Sequence, residues 1–247
     1  MATNLANGSV NIGSHTPAIV RLAMLDTDCS PLQGADSGFV TTALATLTAT
    51  PVIEDGTVIQ PKRADGSFAF RVEKADRLTR YDISADFVYH DMEMKYALMG
   101  GYQVLGRAGG SYAGKVVGHG MPNEDDGIKQ AGVYLEVITL AAYEDLGDCT
   151  SGFAGGPATT APYAIGHIFG KVKIAPGDMT FNEEAHMVSV TGKATPNPGL
   201  FNGPWNDYPG STYIPRSPYV EVLYSKTEYD AIAAAIATGL KALPAIS

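Results

Sequence analysis

One stretch of the sequence has the spacing of a phosphate-cradling loop: Gly109-Gly110-Ser111-Tyr112-Ala113-Gly114-Lys115-Val116. Such a loop needs a Ser or Thr hydroxyl after its lysine to hold magnesium, and Val116 stands there instead. It also needs a buried strand before it and a helix after it, so that backbone amides point at phosphate. Neither pattern flanks this stretch, which reads as a glycine-rich surface loop. His15, His90, His119, His167 and His186 stand at no metal-ligand spacing and read as polar surface residues. Glu124-Asp125-Asp126-Gly127 lacks the alternating ligands of a calcium loop and reads as a solvated acidic turn. Ser37 and Ser151 sit in ordinary turns, with no GxSxG elbow to expose a nucleophile. Trp205, Tyr208 and Tyr213 lie in a proline-rich loop. They could stack on a sugar ring, but aromatic anchors packing on this subunit or the next are the simpler reading. No catalytic residue, cofactor or metal is expected.

Composition bounds what remains. A chain of 247 residues is long enough to bury a full core without staples. With 17 Lys and Arg against 26 Asp and Glu, the formal charge is −9, which argues against wrapping nucleic acid or lying on an anionic membrane. The 28 glycines, 15 prolines and low charged fraction of 17% suit a turn-rich, all-β protein that hides much of its outside in an assembly. Cys29 and Cys149 form no CxxC pair and read as unpaired thiols, with a disulfide left open. The first residues, Met1-Ala2-Thr3-Asn4-Leu5, lack a basic region and an apolar run, so folding in a cytoplasm is expected.

The elements follow from periodicity. Residues 1–37 read as an extended arm with one strand around Ala18–Leu25. Phe39–Ala49 is a β-branched strand. Asp55-Gly56, between Val52-Ile53 and Val58-Ile59, predicts a tight hairpin; Asp65-Gly66 precedes another strand at Phe68–Val72. The clearest alternation spans Arg80–His90, with Tyr81, Ile83, Ala85, Phe87 and Tyr89 on a dry face and Asp82, Ser84 and Asp86 on a wet one. A short helix follows from Asp91 through Met99, stopped by Gly100-Gly101. Further strands are expected at Ala131–Leu140, Ile165–Ile174 and Glu184–Val190. Long loops are expected at about 105–127 (with a short strand at Lys115–Val117), 147–162 and 195–218. The last packs six prolines and three glycines. Ser225 and Glu228 form a capping box for a C-terminal helix over about 225–239.

Taken in order, these features resemble a tailed-bacteriophage major tail protein, the tail tube subunit. The residues that carry the resemblance are Glu54-Asp55-Gly56, the strand Tyr81–Phe87, the helix Asp91–Met99 with its glycine stop, and Val188–Ala194. It implies a single domain, 1–247, of mainly β class: a β-sandwich or tube-forming barrel subunit with a flanking helix. It implies hexameric rings of identical subunits, stacked into a tube that conducts the genome without specific DNA binding. Tail terminator, tape measure and distal tail proteins are the implied partners, and the virion tail, assembled in the host cytoplasm without membrane insertion, the implied place. On this reading Asp82 and Asp86 line a neutral or acidic lumen. The loops of Asp55 and Gly56 and of Trp205 and Tyr208 touch neighbouring subunits or rings. Two alternatives stand beside it: a carbohydrate-binding β-sandwich, resting on the loop aromatics, and a capsid decoration protein.

Overall fold

The computed structural model describes residues 12–32, 34–64, 66–68, 70–88, 92–121, 132–143, 164–176, 188–199, 217–234, 236 and 241–243. In chain order they form β1 (Ile12–Met24), β2 (Gly34–Thr41), β3 (Leu44–Glu54), β4 (Val58–Ile59), β5 (Val72–Glu73), β6 (Arg77–Phe87) and helix α1 (Met92–Met99). Then come β7 (Tyr102–Leu105), β8 (Val116–Gly120), β9 (Val133–Tyr143), β10 (Ala164–Pro176), β11 (Val188–Thr195), β12 (Val220–Tyr224), helix α2 (Lys226–Ala234) and β13 (Lys241–Leu243). The chain is mainly β. One antiparallel sheet runs β13-β2-β1-β9-β10-β11-β6-β3, and it does not close into a barrel.

β10 organises this sheet. Along one edge it pairs with β9; along the other, its first half takes β12 and its second half takes β11. A register shift between Phe169 and Val172 marks the changeover, the kind of irregularity that bends a strand. The halves of the sheet therefore turn toward each other. Val20, Leu22, Phe39, Leu135 and Val137 from one half share a core with Ile83, Ala85, Phe87, Val188 and Val190 from the other. Met94, Ala97 and Leu98 of α1 complete it, as in a sandwich whose two inner faces interdigitate.

β1 departs from the expected arm. Its Ile19, Arg21, Ala23 and Leu25 face one way and Val20, Leu22 and Met24 the other, and all are buried. A strand covered on both faces loses its alternation and reads as an apolar run. The tight hairpin at Asp55-Gly56 is not formed. β3 instead stays paired with β6 through Glu54↔Arg77, β4 pairs with β5, and the arm ends in a Lys62↔Phe68 bridge. The turn is at Gly66, whose φ of +84° only glycine adopts freely. Gly56 serves close approach: a Cβ there would lie 1.6 Å from the Lys74 carbonyl, and its N–H donates to Asp76 Oδ1 at 2.8 Å. Within the expected 105–127 loop, the short strand expected at Lys115–Val117 is β8, which pairs with β7 just before the loop. The C-terminal helix is shorter than expected, ending at Ala234, and its capping box forms: Ser225 N–H donates to Glu228 Oε2 at 2.7 Å.

Behind the β1–β9 half lies a buried polar knot. Arg21 Nε donates to Glu136 Oε2 at 2.9 Å, Tyr134 OH donates to the same oxygen at 3.1 Å, and Tyr224 OH donates to Glu136 Oε1 at 2.7 Å. Arg21 in turn donates to the Tyr224 hydroxyl at 2.9 Å. Glu136 is fully buried, so its charge is tolerable only because every partner is in place. Glu136→Ala is expected to lower the unfolding free energy by about 3–5 kcal/mol, because the buried guanidinium then loses the carboxylate that holds it at 2.9 Å. Urea denaturation measures this, and the double change Arg21→Met with Glu136→Leu should recover most of the loss.

Candidate assembly surface

The outer face of β3, β6, β11 and the second half of β10 is a polar sheet face. Residues two apart along a strand share a face, and the register sets them in rows. Thr46, Asp86 and Ser189 form one row; Thr48, Ser84 and Thr191 form the next; Thr50, Asp82, Lys193 and Lys173 form the third. Asp86 accepts from Ser189 Oγ at 2.6 Å and Thr46 Oγ1 at 2.7 Å. Those two hydroxyls hold its carboxyl below the usual carboxylate range. Asp82 accepts from Arg80 Nε at 2.9 Å.

Both aspartates expected on a wet strand face are therefore there, and neither stands alone. Lys173, Lys193 and Arg80 share the face with them, so it is mixed in charge and not acidic. Asp82 and Asp86, expected to line a neutral or acidic lumen, thus share their face with three cations. The whole-chain charge of −9 does not describe this face.

Beyond the sheet, β3 and β6 continue as a two-stranded arm through β4 and β5 to the tip at Gly66. The arm is exposed and mixed: Ile53 58%, Phe68 58% and Phe70 56%, with Val58, Ile59 and Val72, stand among exposed Glu54, Asp55, Lys62, Arg63, Arg71, Glu73 and Lys74. β3, 11 residues long, is also the last strand of the sheet, and its outer edge has no partner among the described strands. Pro51 is tolerated there because an edge strand can lack a donor. Asp55 and Gly56, expected at a subunit contact, lie within this arm between β3 and β4.

A second polar cluster, not anticipated from the sequence, ties β12 to β10. His167 Nδ1 lies 2.7 Å from Tyr219 OH, and Tyr219 OH donates to Glu221. With the Tyr219 proton given to Glu221, the imidazole donates from Nδ1, and Nε2 lies 3.2 Å from Thr139 Oγ1. Burial pushes the His167 pKa below its ordinary 6.5, against the pull of Glu221 and Glu136. Burial and the Glu221 hydrogen bond push the Tyr219 hydroxyl well above its ordinary value. Thr139 is buried and its hydroxyl also points at the Ile165 carbonyl, so the chain joins strands and presents no nucleophile.

The remaining expectations sort by position. Lys115 is followed by β8 and no helix, so the glycine-rich stretch does not aim amides at a phosphate. Ser37 is buried within β2. His119 Nε2 lies 2.6 Å from the Gly100 carbonyl, tying β8 to the end of α1. Trp205, Tyr208, Tyr213, Ser151, Cys149, His90, His186, the Glu124–Asp126 run and the 147–162 loop lie outside the described residues, as does most of 195–218. No group of three or more His, Cys, Asp or Glu that could hold a metal occurs among the described residues, and no described helix is long and apolar enough to cross a membrane. No protein-family model and no curated protein matches this sequence.

The His167 cluster has a pH signature. A histidine whose folded pKa is depressed contributes stability above its unfolded value, and that contribution is lost as pH falls through the folded value. From pH 7 to pH 5 the urea midpoint is expected to fall, and His167→Gln should flatten that limb of the profile.

Proposed function

We propose that this chain is a self-assembling structural subunit, a tail tube protein of a tailed bacteriophage whose copies form stacked rings. The observation that carries the reading is the exposed arm. Six large hydrophobes, Ile53, Val58, Ile59, Phe68, Phe70 and Val72, are exposed along one projecting ribbon, a concentration that marks interaction surfaces. Covered by a neighbouring copy, the same ribbon becomes an interface.

The free edge of β3 supports the same reading. An 11-residue strand with unpaired backbone groups is a template for another strand. If each copy offers β3 to an edge of the next, the contact is head-to-tail and closes into a ring when the rotation permits. The polar face of β3, β6 and β11 would then continue from copy to copy and form the wall of a bore. Its hydroxyls and paired charges suit a wet surface. In this role the chain performs no chemistry; it encloses a passage for the genome in the virion tail.

Negative-stain microscopy of the purified full-length protein is expected to show rings or tubes of uniform diameter. The double change Phe68→Glu with Phe70→Glu removes two apolar anchors, each worth about 1.5–3 kcal/mol when buried. It should raise the concentration needed for assembly by about a hundredfold or more, while circular dichroism and the unfolding midpoint stay near those of the parent. Assembly unaffected by that change would place the interface elsewhere, and a parent protein that stays monomeric at high concentration would end the reading.

A further inference from the structure

The polar face contains a shallow groove of about 510 Å³ across β3, β6, β11 and β10. Its floor carries the hydroxyls of Thr48, Thr50, Ser84 and Thr191, and its one end carries Lys173 and Lys193. These two lysines are direct partners in the β10–β11 register. Side chains opposite each other on antiparallel strands have Cβ atoms about 4.5–5.5 Å apart, and like charges there are destabilising. Asp82, directly opposite Lys193 on β6, offsets part of the repulsion, but it is shared with Arg80, so the row carries more cations than carboxylates. Among the described residues, neither ammonium is in an ion pair. Asp82, the one carboxylate lining the groove, is held by Arg80 Nε at 2.9 Å. Lys171, two residues before Lys173, is occupied with Cys29 Sγ at 2.9 Å.

We infer that this groove binds phosphate oxyanions, with Lys173 and Lys193 straddling one phosphate and the adjacent threonine and serine hydroxyls donating to its oxygens. The chemistry fits at each point. A phosphate adds counter-charge beside two lysines that share the single carboxylate of Asp82 with Arg80, and it accepts several hydrogen bonds at once, which a row of hydroxyls can give. The groove is open and shallow, so it suits a phosphate that is part of a longer chain and slides past. The ligand is accordingly the phosphodiester backbone of a nucleic acid, without sequence preference, since no base edge is needed. Free inorganic phosphate offers the same oxyanion. The identity of the nucleic acid rests on the tube reading; the oxyanion site itself rests on the lysine pair and the hydroxyls alone.

The test uses the soluble full-length chain before assembly. Fluorescence anisotropy with a labelled 20-base-pair duplex of arbitrary sequence at 20 mM NaCl is expected to show weak binding. Affinity should fall with salt at a slope of about −0.9 per phosphate contacted. The double variant Lys173→Gln with Lys193→Gln should lose at least tenfold in affinity. Lys226→Gln, which removes a lysine on α2, should lose less than twofold. The double variant should unfold at the same or higher urea concentration than the parent, because a like-charge pair has been removed, so loss of binding cannot be ascribed to misfolding. Inorganic phosphate, titrated in a parallel NMR experiment, should shift the amides of Lys173, Thr191 and Lys193.

Duplex binding that is absent in the parent, or equal in parent and double variant, overturns the nucleic-acid assignment. Phosphate shifts without duplex binding assign the groove to free phosphate and overturn the same claim. No response to either probe overturns the site. Assembly is read separately by microscopy: tubes without phosphate binding sink this inference alone, and phosphate binding by a persistent monomer sinks the tube reading alone.

Discussion

Glu136 has no water to solvate it, and the described fold is arranged around that fact. Its carboxylate is held from β1 by Arg21, from its own strand by Tyr134 and from β12 by Tyr224. A buried carboxylate is tolerated only while its hydrogen-bond donors stay in place. Slipping β1 or β12 by one residue would send Arg21 or Tyr224 to the opposite face, because side chains alternate. The small size of Gly166 belongs to the same arrangement: a Cβ there would sit 2.6 Å from Glu136 Oε1. The knot therefore specifies which strands meet and at what offset, a role that apolar packing between interchangeable Val and Ile side chains performs less sharply.

Once β12 is fixed on the first half of β10, β11 can pair only with the second half, and the sheet must split there. The split sends β11, β6 and β3 over the core while their outer face stays in water. The same strand then lives in two environments. Within the sheet, β6 buries Ile83, Ala85 and Phe87; a few residues earlier, Leu78 is exposed on the arm. Hydrophobic residues that close a core at one end of the ribbon become an unsatisfied surface at the other. On the proposed reading, that division lets one hairpin serve both folding and association.

How much of this was legible depended on whether water touched one face of an element. The alternation of Tyr81–Phe87 was clear because one side packs and the other is wet, and the period-two pattern reports that difference. β1 was legible only in its second half, as the apolar run Ala18–Leu25 that burial on both faces produces, and its start at Ile12 was not. Asp55-Gly56 misled because a turn signal is local, whereas the pairing of β3 with β6 that carries the chain through it is not. The capping box of Ser225 and Glu228 was readable because both halves lie within four residues of each other. The polar clusters were not: Arg21 and Glu136 are 115 residues apart, and His167 and Tyr219 are 52 apart. Nothing in a single sequence marks such pairs as neighbours.

The charge of the proposed bore wall has to be argued locally for the same reason. A formal −9 spread over a whole subunit acts at any point only through groups within about a Debye length, roughly 8 Å at physiological ionic strength. On the β3–β6–β11 face those groups are Asp82 tied to Arg80, Asp86 capped by two hydroxyls, and a lysine pair beside Asp82. A polyanion beside this wall meets a surface that neither repels it strongly nor grips it at many points. Few contacts, each weakened by salt, permit movement along the wall, whereas many would arrest it. A conduit is compatible with a sparsely basic wall so long as the cations are few and the hydroxyls between them keep it hydrated.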